Sequence, residues 1–365
     1  MICPNCRESV GRRERHGHRC SRCGRTFALD PKSEPGRLHD LKFRELVTKG
    51  TGGRLRITVE QLYWLNERRL HGFPGPKAHL GHLVLGTVVT AGALLAGSFA
   101  RGADGQVWLF AAGLGAVVAV REFHTAWRLR AGAPFRPRLS EIGFQHQVID
   151  RWREVYGGLP TGLIEHPPAG PTVGTVEARA VVLCEVPAVA GFLRANNFAE
   201  RHRVLLADEL AQVPAALPVA VLRDLSLAAL ARTMVIRSAL PGRRVVDCGL
   251  APRAVLEPAK AVRLRDLSRP RLPAALAAAP GWQRLADRER EWLTAGFRSP
   301  LITVPPPKLL ALAEKAVERA VAAPARTVET AAETRRRAER IGFLTWPEAA
   351  PARPADGARR RRDTA

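Results

Sequence analysis

The chain has 365 residues, a formal charge of +23 and 46% hydrophobic side chains. This is a globular composition, not a disordered one, and its length suits about two to three domains. The charge alone does not select a nucleic-acid partner, because an Arg-rich, Lys-poor, Ala- and Pro-rich chain also follows from GC-rich coding; only local clusters such as Arg359 to Arg362 are read as charge features.

At the start, Met1 and Ile2 lead straight into Cys3, without a basic or apolar leader, so the N-terminus is expected to stay in the cytosol. Four of the six cysteines form two Cys-x-x-Cys pairs, Cys3/Cys6 and Cys20/Cys23, with thirteen residues between the pairs. Such pairs serve as metal ligands, as disulfides or as redox dithiols, and the compartment decides among them.

Residues 30–78 form an expected adaptor segment, with alternation around Leu55, Ile57 and Val59 and a helical pattern through Leu62, Leu65 and Leu70. It is expected to pack on the N-terminal module or to lie at a membrane surface, which would suit Tyr63 and Trp64.

Residues 79–123 are predicted to form a transmembrane helical hairpin. Leu80 to Phe99 is twenty residues without a formal charge, long enough as a helix to cross ~30 Å of hydrocarbon. Gly105 to Val120 is shorter, at sixteen uncharged residues, and needs Arg121 to snorkel or the bilayer to thin. Ala93 and Gly97 on the first run and Ala112 and Ala116 on the second have the spacing that lets helices approach closely, while Trp108, Phe123 and Trp127 suit the interfaces. The competing reading is a hairpin buried inside a soluble protein.

Arg68, Arg69 and Lys77 precede the first run, Arg121, Arg128, Arg130, Arg136 and Arg138 follow the second, and the turn offsets Arg101 with Asp104. The positive-inside rule therefore predicts a two-pass protein of a bacterial inner membrane with both termini cytoplasmic. Structural disulfides do not persist there, and two Cys-x-x-Cys motifs within thirty residues fit a redox dithiol poorly. Zinc held structurally by Cys3, Cys6, Cys20 and Cys23 is the expectation, with His16 and His18 left at the surface because four sulfurs complete the tetrahedron. With "CPNC" as first knuckle and "CSRCGRTF" as second, residues 1–29 resemble a zinc ribbon, with Gly24 relaxing the turn and Phe27 covering the site. Arg12, Arg13, Arg15, Arg19, Arg22 and Arg25 suit phosphate, anionic lipid or a protein partner equally.

Residues 124–175 are predicted to hold one amphipathic helix, roughly Ser140 to Tyr156, and a Pro/Gly-rich linker. Residues 176–300 alternate short apolar runs with helical periods, which predicts an α/β domain with a mostly parallel sheet. The expected fold class is thus multidomain: a small β zinc ribbon, a transmembrane hairpin and this α/β domain. Glu185 and Asp224 end the first and third of its strands, and in this the region is similar to the Toprim family. That resemblance implies magnesium held by these carboxylates for phosphoryl transfer. The chain departs from the family in having Ser226 where a second aspartate belongs, with Asp247 on the next strand as a substitute. The alternative is that Glu185 and Asp224 cap helices. Cys184 and Cys248 are expected as buried small hydrophobes. Residues 301–347 read as C-terminal helices broken at Pro324, and residues 348–365 as a disordered basic tail.

The sequence contains no Gly-rich phosphate loop, Ser/His/Asp arrangement or H-E-x-x-H motif, and no small-molecule substrate is evident. The function expected is a membrane-anchored cytoplasmic scaffold or regulator, whose partners are membrane lipid and another protein. The alternatives are a magnesium-dependent Toprim-like phosphotransferase or nuclease and a membrane-tethered nucleic-acid binder.

Overall fold

The computed structural model describes residues 1–322 except 33–35, 72, 74–77, 100–104, 131–133, 167, 169, 171, 174–176 and 258–259. The hairpin turn, Pro324 and the basic tail therefore lie outside the described residues. After the N-terminal module come helix α1 (Asp40–Thr51), strand β1 (Ile57–Thr58) and helix α2 (Val59–Leu70). Helix α1 begins where the His39 ring accepts from the Lys42 N–H and ends at Gly52 in the left-handed region, and α2 begins in a Thr58/Gln61 capping box.

The two apolar runs form α3 (Ala78–Ser98) and α4 (Gly105–Arg130). Both are long and apolar enough to cross a membrane, and only 6% of each apolar window is buried, so neither is the core helix of a soluble body. Helix α4 continues past Val120 to Arg130, 26 residues or ~39 Å in all, so Arg121 and Glu122 lie inside the candidate span Gly105–Trp127. Small residues set the packing. A Cβ at Gly115 would lie 2.8 Å from the Ala93 Cβ, and Gly97 faces Ala112. Within the two candidate spans, His82 Nδ1 and Glu122 Oε2 meet at 2.6 Å and join the helices.

Beyond the hairpin, α5 (Glu141–Phe144), a π-helical turn (Gln145–Asp150) and α6 (Arg151–Tyr156) form a near-continuous rod that starts at the Ser140 cap and ends at Gly157. This is the single helix expected, with a π-turn that the residue pattern did not announce. Strand β2 (Leu163–Ile164) then pairs in parallel with β1, Ile57 opposite Leu163 and Thr58 opposite Ile164. The hairpin is thus inserted into a body whose two flanks pair with each other.

A second, five-stranded sheet follows: β3 (Thr172–Val173), β4 (Ala180–Cys184), β5 (Val204–Ala207), β6 (Val219–Leu222) and β7 (Val245–Asp247), in the order β3-β5-β4-β6-β7. The last four are mutually parallel, and β3 is an antiparallel edge. Helices α7 (Pro187–Ala195) and α8 (Phe198–His202) connect β4 to β5, and α9 (Leu227–Ala239) connects β6 to β7. Every residue of β4, β5 and β6 is buried, which is why these strands read as unbroken apolar runs. The chain continues through α10 (Pro252–Leu256), β8 (Leu264–Arg265), α11 (Ala274–Ala277), α12 (Pro280–Gln283), α13 (Asp287–Thr294), β9 (Phe297–Arg298) and α14 (Pro306–Val321).

One apolar core unites α1 (Phe43, Leu46), α2 (Leu62, Trp64), the rod (Phe144, Trp152), α7 (Phe192, Leu193), one sheet face (Val182, Leu206) and α14 (Leu309, Val317). The other sheet face (Val181, Leu183, Leu205, Val221) packs with Ile236 of α9. The expected adaptor is therefore part of the main body. Tyr63 and Trp64 are 3% and 5% exposed, because Phe144 and Phe135, on the chain returning from the hairpin, pack against them. Tyr63 donates to the Leu139 carbonyl at 2.9 Å, and buried Glu67 accepts from the Arg138 N–H at 2.6 Å, so α2 grips the chain as it returns from the hairpin. Burial raises the Glu67 carboxyl above its usual range, against the lowering effect of the Arg138 and Leu139 N–H groups. His71, Phe73 and Phe135 stack at 4.3–5.9 Å between ring centroids where the chain enters and leaves the hairpin.

Gly162, at φ +88°, accepts the Ile57 N–H at 2.8 Å, and a Cβ there would lie 2.8 Å from Thr51 Cγ2. Gly162→Ala is therefore expected to destabilise the detergent-solubilised protein by about 1–3 kcal/mol in chemical denaturation. An unchanged midpoint would mean that β1 and β2 do not hold the flanks together.

Candidate metal centre

The N-terminal module is built from two copies of one knuckle offset by seventeen residues. In the first, the Cys3 N–H bonds the Glu8 carbonyl (2.9 Å) and the Arg7 N–H bonds the Cys3 carbonyl (3.1 Å). In the second, Cys20 with Arg25 (3.0 Å) and Gly24 with Cys20 (2.8 Å) repeat the pattern. Isolated bridges Ile2–Ser9 and Arg19–Thr26 close the two loops. Each knuckle needs a left-handed residue just after its second cysteine. Gly24 supplies it at φ +68° without cost, whereas Arg7 adopts it at φ +65° against its own Cβ.

The fold brings the four cysteine sulfurs within 4.8 Å of one another, and Cys3–Cys23 and Cys6–Cys20 are each 3.9 Å apart. A tetrahedral ion bonded to sulfur at ~2.3 Å requires sulfur–sulfur edges of ~3.8 Å, so the residues fit a four-thiolate metal ion. Cys3 and Cys20 are buried, and the Asn5 N–H points at Cys3 Sγ (3.4 Å). The Cys20 thiol is pulled down to about 7, chiefly by the Cys23 backbone N–H, which outweighs the opposing effect of burial. Among the described residues, no other group of three or more His, Cys, Asp or Glu side chains converges in this way.

Neither His16 nor His18 joins the cluster. His16 is exposed. His18 packs its ring 5.5 Å from Phe27, and burial lowers its pKa. Val10 packs on the sulfurs, the place expected of Phe27, its counterpart in the second knuckle. Cys184 and Cys248 are buried thiols, both pushed up by burial, Cys248 to about 11.

Buried polar contacts fasten the module to the body. Arg15, expected among the exposed arginines, is buried against Asp30 at 2.8 Å. Asp40, fully buried at the start of α1, accepts from the Ala28 N–H (3.0 Å), the Leu29 N–H (2.8 Å) and the Tyr156 hydroxyl. Arg151 donates to the Ala28 carbonyl at 2.9 Å. Sequence reasoning missed Asp40, a lone acid among polar residues with no spacing to mark it.

The strand-end carboxylates behave differently. Glu185 is held by Arg232 of α9 through three contacts of 2.6–3.0 Å and caps no helix. Asp224 accepts the Leu301 N–H at 2.7 Å, capping a single 3-10 turn (Leu301–Thr303), and burial raises its pKa. Ser226 is the residue that caps α9, accepting the Ala229 N–H at 3.0 Å, and Asp247 is paired with Arg223 at 2.7 Å. Each acid has its own partner, and the set does not converge on a cation. Comparison of the chain with protein-family models, with curated proteins and with solved structures finds no match, so nothing beyond the residues supports the Toprim resemblance.

Exchanging Cys20 for Ser in the full-length protein is expected to abolish metal retention in elemental analysis and to open residues 1–29 to protease. Asp40→Ala is expected to retain the metal yet destabilise the docked module by about 3 kcal/mol, from ~1–3 kcal/mol per stranded buried donor. Equal metal loss in both variants would mean that coordination and docking are one event.

Proposed function

We propose that this chain is a two-pass membrane protein that carries a structural zinc ribbon and an α/β domain on the cytoplasmic side, acting as a scaffold or regulator. The observation that carries the reading is the β1–β2 pair, formed by residues on opposite sides of the hairpin. A folded body cannot be divided by a bilayer, so a chain that enters the lipid through α3 must return through α4 to the same face. The positive residues on both flanks support the cytoplasmic face as the one where the body lies. Zinc is the ion proposed for the four thiolates, since a four-cysteine site in a reducing compartment with no redox partner suits a closed structural ion.

Scaffolding is supported by what the sheet does with its carboxyl edge. In doubly wound sheets this edge takes ligands. Here Leu225 and Ser299 exchange backbone hydrogen bonds (3.0 and 2.8 Å) across it, Asp224 holds Leu301, and Arg68 of α2 donates to the Thr303 carbonyl at 3.0 Å. Tethering ribbon and sheet to one surface raises their effective concentration for a shared partner without any new contact. The magnesium-dependent enzyme remains the rival reading, resting on Glu185 and Asp224.

Two measurements test the proposal. Reporters fused to either terminus are expected to report the cytoplasm, and the protein is expected to resist alkaline extraction from membranes; a terminus outside the cell refutes the topology. Glu185→Gln is expected to leave the cellular phenotype unchanged, its exposed ion pair contributing only ~0–1 kcal/mol. Magnesium-dependent cleavage of nucleic acid that this variant loses would establish the enzyme instead.

A further inference from the structure

Six arginines crowd the surface of the ribbon: Arg7, Arg12, Arg13, Arg19, Arg22 and Arg25 are all exposed. Outside the buried Arg15–Asp30 pair, the ribbon's acidic side chains are Glu8 and Glu14, and Glu14 lies 3.6 Å from Arg22. Sequence alone leaves nucleic acid, lipid and protein equal as partners for this surface. The fold separates them by position.

The ribbon docks on the start of α1, through Ala28 and Leu29 on Asp40. The chain just before α1 lies against the last turns of α2: the Gly36 carbonyl accepts from Asn66 (3.4 Å) and Arg69 (3.1 Å), and the Arg37 carbonyl from Arg69 (3.3 Å). Helix α2 ends at Leu70, and α3 begins eight residues later at Ala78, a stretch of chain that reaches ~28 Å at most. The basic ribbon therefore sits at the end of the α1/α2 pair from which the chain enters the membrane candidate. Ile2, 50% exposed on the first knuckle, adds an apolar side chain among the arginines, a combination suited to a headgroup boundary.

We infer that the arginine face of the ribbon lies on anionic phospholipid headgroups of the leaflet the hairpin enters, making the metal module a second, peripheral membrane contact. The inference rests on the membrane reading above and adds the partner of the ribbon. The attraction is electrostatic and falls off over a Debye length of ~8–10 Å at ordinary salt, so it requires the ribbon to come within that distance of the leaflet, which a connection of at most ~28 Å allows.

The test uses the full-length, metal-loaded protein in nanodiscs of phosphatidylcholine alone or mixed with phosphatidylglycerol, read by amide hydrogen exchange of residues 1–29. Exchange is expected to slow in the anionic discs only and to recover in high salt, and this protection is expected to weaken roughly fivefold for each arginine changed to glutamate among Arg12, Arg13 and Arg22. Metal content, unchanged in those variants, separates lost lipid contact from an unfolded ribbon. Protein that enters the discs but shows the same ribbon exchange in both lipids overturns the inference alone. Protection of the ribbon by added single-stranded RNA or DNA, with no dependence on lipid, overturns it in favour of nucleic acid. Failure to enter discs of either composition overturns the hairpin reading and this inference with it.

Discussion

Ile57 and Thr58 lie before the apolar hairpin and Leu163 and Ile164 after it, and their parallel pairing constrains the rest of the structure. Parallel strands need a crossover, ordinarily a helix that packs back on the sheet. Here the crossover contains α3 and α4, which leave the body, and the rod of α5 and α6, which returns to it. The body must then hold both feet of the hairpin, and it does so through side chains of α2 and the residues just after it. Glu67 and Tyr63 of α2 fix residues 138 and 139, and His71 and Phe73 stack on Phe135. Within the hairpin, α3 and α4 pack closely where Gly115 admits Ala93, and no larger residue would fit without separating the helices.

The ribbon depends on the same body for a different reason. A module of about thirty residues cannot bury enough apolar surface to hold itself together. Its interior amounts to Val10 and the cysteines, so an ion held by the four thiolates would take the place of a core. The residues that follow the second knuckle, Ala28 and Leu29, already belong to the main core. Backbone hydrogen bonds shape the knuckles while Asp40 decides where they sit. Asp40 also binds Tyr156, at the far end of the rod, so the carboxylate couples ribbon, α1 and the returning chain at one buried point. Burial and the bond to Asp40 raise the Tyr156 hydroxyl pKa, which keeps it a donor at any physiological pH.

The legible parts of this chain were those with a local signature. Two Cys-x-x-Cys pairs are a short-range pattern, and the four sulfurs meet as their spacing implied. Long uncharged runs and unbroken apolar strands are likewise readable, since burial on both faces leaves no alternation to interpret. What escaped was non-local. Helix α1 has its apolar residues at Phe43, Leu46 and Val47, but its partner α2 lies beyond two glycines, and neither segment alone reveals that they share one core. Tyr63 and Trp64 look interfacial in a segment next to a membrane span, yet their surroundings come from residues some eighty positions later. The role of Ser226 is visible only in three dimensions, where its hydroxyl caps α9.

The carboxyl edge of the sheet is occupied by the chain itself. Helix α7 leaves β4 toward one face and α9 leaves β6 toward the other, so the carboxyl ends of these neighbouring strands flank the crevice where such sheets hold ligands. In this chain the crevice is crossed by residues 299–303, pinned by Leu225 and Asp224 on the sheet and by Arg68 on α2. Glu185 and Asp247, which would face an incoming ligand, are turned to Arg232 and Arg223. The same few hydrogen bonds that occupy the crevice join the sheet to the helix leading into the hairpin. A ligand site there would have to compete with the joint that fixes the α/β domain to its anchor, and a surface-binding role imposes no such conflict.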